Sequence, residues 1–231
     1  MKTLELETLR AALDAHEVRP AAEVIPGMVR KDAGVLVPIR TGARPTIVLT
    51  ARSRAMRDHA GEVSFPGGKP QPEDRDLAAT ALREAHEEIG LEPRRVSIVG
   101  RLSSVPTATS AFRLEPFVGA IVDGDDRWAL SREVDRVLEL PIEDFVSGRV
   151  RFCLTMFAWR DELHPTPFFE VDDETVIYGA TAYVLWEAFA VLAGLGAPLP
   201  EPVVVPPPPW TAPLIERFRA LEDRHRQRIV E

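Results

Sequence analysis

The sequence predicts an α/β (α+β) chain in which a mixed β-sheet is packed between helices, and three observations carry that prediction. Short β-rich apolar runs recur at residues 33–39, 46–51, 96–105, 116–122 and 151–159, each within strand length and bounded by turn residues. Two stretches with helical periodicity, 77–89 and 178–195, are long enough to cover a sheet. Strands interleaved with helices, and no internal repeat, suit one layered core rather than a solenoid.

Taken in order, residues 3–16 read as an amphipathic helix with Leu6, Leu9 and Leu13 on one side. The runs 33–39 and 46–51 are joined by Thr41-Gly42-Ala43, which predicts a hairpin. The segment 70–82 starts turn-rich and becomes helical at Leu77, where Leu77, Ala78, Ala81, Leu82, Ala85 and Ile89 form an apolar stripe. Asp74 and Asp76 are both placed to cap that helix, and Gly90 stands where a left-handed C-terminal cap belongs. Ser131 is expected to cap a further short helix, and Pro141 to start another turn. Residues 151–159 alternate as a half-buried strand. Seven prolines in 198–209 predict a stiff, extended strap. The strap leads to a helix over 211–228, whose stripe of Leu214, Ile215, Phe218 and Leu221 must be buried on the body or on a second copy in a homodimer. An SH3-type ligand is the other use of such a strap.

The 231 residues predict one domain over 1–231, with a core at about 30–196. A formal charge of -8 and a pI near 5.3 argue against a nucleic-acid partner. Attraction of an anionic substrate then falls to a local window, where Arg40, Arg44, Arg52, Arg54 and Arg57 occur with no acid among them. A lone cysteine, Cys153, excludes an intrachain disulfide and a cysteine-based zinc site, and is expected to pack as a small apolar group. The N-terminus lacks the apolar core of a signal peptide, and no apolar run is long enough for a bilayer. The expectation is a cytoplasmic protein without membrane contact.

The chemistry is concentrated in Gly67-Gly68-Lys69 and in Arg83-Glu84-Ala85-His86-Glu87-Glu88-Ile89-Gly90-Leu91. On a helix Glu84, Glu87 and Glu88 stand at i, i+3 and i+4, so their carboxylates are expected to converge. Like charges held close repel, and a hard divalent cation such as Mg2+ or Mn2+ relieves that repulsion. Most acidic runs are solvated faces. Here the surrounding glycines and arginine decide otherwise, because six fixed identities at this spacing arise by chance in roughly 10^-5 of chains this long.

The pattern resembles the Nudix box through Gly68, Arg83, Glu84, Ala85, Glu87, Glu88, Gly90 and Leu91. It departs in the middle: the stretch from Gly68 to Arg83 is one residue longer than usual, and the leading acid is Asp74, or Glu73 in another alignment. Leu49-Thr50-Ala51-Arg52-Ser53, Arg57, Gly61 and Phe65-Pro66-Gly67-Gly68 resemble the extra motif of the coenzyme A pyrophosphatase branch, with Val48 in place of its first Leu. Tyr178-Gly179-Ala180-Thr181 resembles a third stretch of the same branch.

The resemblance implies a Nudix-type α/β/α sandwich and hydrolysis of coenzyme A, or of its acyl or oxidised forms, to 3′,5′-ADP and 4′-phosphopantetheine. Metal ligands would be Glu84, Glu87, Glu88 and the Gly68 carbonyl, with Arg83 orienting a glutamate. The proton acceptor would be a box glutamate or an acid of 170–174. Arginine's planar fork suits a phosphate, so Arg52 and Arg57 are expected at the substrate; Phe65 is expected to wall the pocket and Lys69 to meet phosphate. His59 and His86 are expected to take no part. The alternatives are a hydrolase of ADP-ribose or other nucleoside diphosphate derivatives, and a Nudix-fold nucleotide sensor without turnover.

Overall fold

The computed structural model describes residues 3–19, 28, 30–55, 60–107, 112–121, 127–159, 162–195, 198–217, 219, 220 and 223. The larger sheet contains β1 (Lys31–Arg40), β2 (Thr46–Arg52), β3 (Val63–Ser64), β4 (Gly67–Gly68), β5 (Val96–Arg101), β6 (Val105–Pro106), β7 (Phe112–Ile121) and β8 (Val134–Pro141). Its order is β3-β2-β1-β7-β5, with β4 on β1, β6 on β7 and β8 on β2. β1 and β7 are parallel from Lys31↔Phe112 to Arg40↔Ile121, and the other pairings are antiparallel. The expected mixed sheet is present.

The expected hairpin is also present, but short. β1 meets β2 only at Ile39↔Ile47 and Arg40↔Thr46. Farther back the same edge of β1 takes β4, at Gly34↔Gly68 and Val35↔Gly67. This fork carries the double glycine into the sheet beside α2 (Leu77–Ile89).

Strand alternation sorts the apolar residues onto two faces. Leu36 and Val48 face Ala81, Ala85 and Ile89 of α2. Val35, Val37, Ile39, Ile47 and Leu49 share the opposite core with α1 (Leu6–Asp14), α3 (Ile142–Val146) and α4 (Gly179–Gly194). Each fully buried aliphatic side chain there contributes roughly 1.5–3 kcal/mol. Helices on both faces make the α/β/α arrangement. His16 and Ser103 both bond to Glu187, at 2.6 and 2.5 Å, tying the end of α1 to α4. Among the described residues no helix is long and apolar enough to cross a membrane.

Asp76 is the cap of α2, its Oδ1 accepting the Ala79 N–H at 2.7 Å. Gly90 ends the helix at φ 72°, a conformation that favours glycine.

Three expectations need correction. Ser131 caps no helix: the chain turns and enters β8, which pairs with β2 from Thr46↔Pro141 to Arg52↔Val134. A second, four-stranded sheet exists, ordered β11-β10-β9-β12, from β9 (Arg151–Trp159), β10 (Glu162–Glu170), β11 (Val176–Ile177) and β12 (Val203–Val204). β10 has no counterpart among the expected strands, and it carries Pro165 and Pro167. Spaced by two, they place both missing donors on one edge, and β11 covers that edge only at Phe169 and Glu170. The strap also joins a sheet, since Val203 and Val204 lie parallel to Cys153 and Leu154, and the Val205 N–H donates to the Leu154 carbonyl at 2.9 Å.

The second sheet is covered on both sides, so β9 is more than half-buried: Phe152, Cys153 and Thr155 are all enclosed. Trp210 packs edge-on against Phe168 at 5.3 Å and tilted on Tyr178 at 4.9 Å. Residues 212–217 are helical; Phe218, Leu221 and most of the rest of the expected 211–228 helix lie outside the described residues.

Candidate active site

The helix α2 presents its acids in two directions. Glu88 is 8% exposed and Glu84 is largely enclosed, whereas the Glu87 side chain is 51% exposed. Glu87 Oε2 accepts from Arg83 Nη1 at 3.0 Å. The expected three-way convergence is therefore a pair, Glu84 and Glu88, with Glu87 turned aside by a cation. Among the described residues no three carboxylate, histidine or cysteine side chains are gathered as a ready metal cage.

The pair is electrostatically loaded. Burial pushes the Glu88 carboxyl up to about 8, against the pull of Arg52 and with Glu84 and Glu133 adding repulsion. One Glu88 oxygen, Oε2, is buried with no hydrogen-bond partner among the described residues. Burial also raises Glu84, and the adjacent Arg83 lowers it. Gly68 makes this packing possible, because a Cβ there would lie 2.4 Å from Glu84 Oε1. Any other residue would push the carboxylate out of place.

Arg83 is the hub of the opposite side. Its Nε and Nη2 each meet Asp74, Nη1 meets Glu84 and Glu87 at 3.0 Å, and Nη2 reaches the Lys69 carbonyl at 3.0 Å. Bonds to Arg83, to the Gln71 N–H and to Thr80 hold the Asp74 carboxyl down at about 2. Of the two leading acids the alignment allowed, Asp74 occupies the structural position. Glu73 is exposed.

The substrate-side expectations fare unevenly. Arg52 is present at the site: Nη2 lies 3.3 Å from Glu133 Oε2, and its charge acts on Glu88. Arg57 and His59 lie outside the described residues. Phe65 is 5% exposed and belongs to the main core, so the ring supports the glycine turn from inside rather than walling a pocket. The Lys69 ammonium stands 5.1 Å from the Phe112 ring centroid, held by a cation–π contact. His86 is exposed on α2.

The arginine window is not the uncompensated positive patch its local sequence suggests. Arg40 pairs with Glu139, Arg52 with Glu133 and Arg54 with Glu174. Glu133 and Glu139 were missed as site neighbours, and so were Asp135 and Arg136, because the stretch entering β8 was taken for a helix, whereas Glu174 belongs to the acid run already singled out. The sign was available in Leu138 and Leu140, a period of two on one face, while Val134 and Val137 pack on the opposite, α2 face across the register irregularity at Ala51/Arg52.

In the acidic run, Glu170 is 2.9 Å from Arg151, Asp172 accepts the Glu174 N–H at 2.9 Å, and Glu174 reaches Arg54. The stretch before α4 meets the arginine motif, because Tyr178 bonds to Glu62, while the Glu62 carbonyl accepts the Arg52 N–H at 2.9 Å.

An all-oxygen donor set with one orphaned buried carboxylate oxygen fits a hard divalent cation, and Glu87 joins that set if it leaves Arg83. Residues 29–152 match the NUDIX domain. A protein named "Uncharacterized Nudix hydrolase NudL" from Photorhabdus laumondii subsp. laumondii is 33% identical over 155 residues, covering 67% of this chain and 81% of that one. The protein of the same name from Citrobacter koseri is 42% identical over 115 residues, covering 50% and 59%. A MutT/nudix family protein structure from Enterococcus faecalis covers 71% of this chain and 62% of its own, with a TM-score of 0.47 and 12% identity. The matched span takes in more than half of the chain, including the glycine turn, the Arg83 hub and the Glu84–Glu88 pair, and so the chain belongs to the NUDIX domain family.

Proposed function

We propose that this chain is a metal-dependent pyrophosphatase that hydrolyses coenzyme A, or an acyl or oxidised form of it, to 3′,5′-ADP and 4′-phosphopantetheine. The observation that carries the hydrolytic reading is the enclosed Glu84–Glu88 pair seated on Gly68. Two carboxylates with raised proton affinity and one orphaned oxygen make a poor structural element and a good cation site. The coenzyme A assignment rests on the arginine and glycine motif that runs from Leu49 to Gly68.

A diphosphate resists water because its oxygens repel the nucleophile. Glu84 and Glu88, joined by Glu87 and the Gly68 carbonyl, would hold Mg2+ or Mn2+, which neutralises that charge and lowers the pKa of attacking water. Arg83 fixes the glycine turn relative to the helix by holding Asp74 and the Lys69 carbonyl together. Arg52 supplies a positive charge beside the pair, where the diphosphate enters. Glu84 and Glu88 are the box glutamates with raised proton affinity, and one of them would take the proton from the attacking water. Water's oxygen joins one phosphorus, the bridging P–O bond breaks, and the leaving phosphate departs with the bridging oxygen.

Mass spectrometry of products from coenzyme A with Mg2+ tests this directly. The expected products are 3′,5′-ADP and 4′-phosphopantetheine. Intact coenzyme A alongside rapid cleavage of ADP-ribose would replace the substrate; cleavage of neither, with retained nucleotide binding, would favour a sensor.

A further inference from the structure

Beside the Glu84–Glu88 pair, a cavity of about 340 Å³ opens between the end of β2, β8 and the turn before β11. Among the described residues its charged lining consists of Arg52, Arg54, Arg136, Asp135, Asp172 and Glu174. We propose that this cavity holds a phosphomonoester group of the substrate, remote from the scissile diphosphate, with Arg54 and Arg136 as its specificity-determining residues. The proposal rests on the substrate reading above and adds the residues that recognise the second phosphate.

Formal charges of these six residues cancel, but the acids and the arginines are not equally available. Asp135 is committed to the backbone, its Oδ2 accepting the Arg54 N–H at 2.9 Å. Asp172 is committed to its own turn through the Glu174 N–H. The Arg136 and Arg54 guanidinium groups act on Asp172 and Asp135 only through charge, whereas Glu174 makes an ion pair with Arg54 at 3.5 Å, with both side chains 79% exposed. So exposed and so long a pair is weak and is readily exchanged for a better anion.

The arginines keep donors in reserve. Arg136 gives Nη2 to the Thr175 hydroxyl, and a guanidinium carries five N–H groups in all. Arg52 Nε is buried and has no acceptor among the described residues. A phosphate dianion accepts two N–H bonds from each guanidinium fork, which no carboxylate now in the cavity does. Arg52 lies between this cavity and Glu88, so a ligand with its diphosphate at the helix can extend its other phosphate toward Arg54 and Arg136.

The test uses the full chain without divalent metal, so that binding is measured in the absence of turnover. Calorimetric titration compares 3′,5′-ADP with 5′-AMP, which differ by the single phosphomonoester. The parent is expected to bind 3′,5′-ADP about tenfold more tightly. Arg54→Gln and Arg136→Gln should each remove most of that preference while changing 5′-AMP affinity by less than about twofold. Arg54 is so exposed that its substitution leaves the fold intact, and it decides the matter alone if Arg136→Gln melts early. Equal affinity of the parent for both nucleotides, or equal weakening of both by Arg54→Gln, overturns the proposal. A chain that prefers 3′,5′-ADP yet leaves coenzyme A intact contradicts the substrate reading and keeps the cavity. A chain that cleaves coenzyme A without that preference contradicts the cavity alone.

Discussion

Asp74 and Arg83 face each other fork to fork, Nε donating to Oδ1 at 3.1 Å and to Oδ2 at 3.3 Å, and Nη2 donating to Oδ2 at 3.1 Å. The two-pronged geometry fixes direction as well as distance. It pins the 70–76 loop to α2 and leaves Arg83 Nη1 for Glu84 and Glu87. A helix that presents repelling acids thus carries its own counter-charge, and a loop acid orients it.

Substitution of the two neighbouring acids should separate these roles. Asp74→Asn is expected to lower both Tm and kcat, whereas Glu73→Ala should leave both unchanged. Equal effects would mean that the clasp is incidental. The acid limb of the stability profile follows, since a carboxyl held down at about 2 contributes stability that is complete above 3.8 and is lost as pH falls through about 2. Asp74→Asn should flatten thermal unfolding in that window.

Glu88 has the opposite sign. A carboxyl raised from 4.5 to about 8 binds its proton more tightly in the folded state. The metal-free protein should therefore lose stability as pH rises from about 4.5 to about 8. Glu88→Gln should remove that loss, raising Tm of the metal-free protein near pH 8 by roughly 2–4 °C, about 1 kcal/mol for a chain of this length. Turnover should fall about 100-fold or more at saturating Mg2+. A pH-independent Tm across this range in the parent would show that Glu88 is not held in its neutral form.

Arg52 lies at the helix end of the cavity, so its contribution should not depend on the remote phosphate. Arg52→Ala is expected to raise KM about tenfold for both coenzyme A and dephospho-coenzyme A, with a smaller change in kcat. Steady-state kinetics on the two substrates decides it; a loss confined to coenzyme A would place Arg52 at the remote phosphate instead.

Legibility of the sequence followed how local the physics is. The caps of α2, the β1–β2 hairpin and the β9 boundaries are set by neighbouring residues, and each was readable. β8 was hidden because its outward residues, Asp135 and Arg136, serve the cavity and make the strand look like a polar helix start. β10 carries prolines that only an open edge tolerates. The outward turn of Glu87 depended on an arginine whose own direction is fixed by Asp74, a contact no helical spacing reveals. Phe65 looked like a pocket wall because it adjoins the glycines, while its burial is decided by strands distant in sequence.

The proline strap leads into Trp210, which packs on the second sheet. Its ring covers Phe168 and Tyr178, and Tyr178 in turn holds Glu62. Trp210→Ala should cost about 2 kcal/mol, or roughly 4–8 °C in Tm, given a half-buried ring in a chain of this length. A chain truncated after residue 196 should melt lower still or change its association state, yet retain measurable turnover. An unchanged melting point with abolished turnover would assign the tail to the active centre.

The central claim is that Glu84 and Glu88 form a divalent-cation site on which hydrolysis depends. Mn2+ binding followed by electron paramagnetic resonance on the parent and on Glu88→Gln, alongside turnover of coenzyme A by the same samples, addresses it most directly. The account predicts saturable Mn2+ binding to the parent and at least about tenfold weaker binding to Glu88→Gln, with turnover lost in parallel. Undiminished Mn2+ binding and turnover in Glu88→Gln would contradict it.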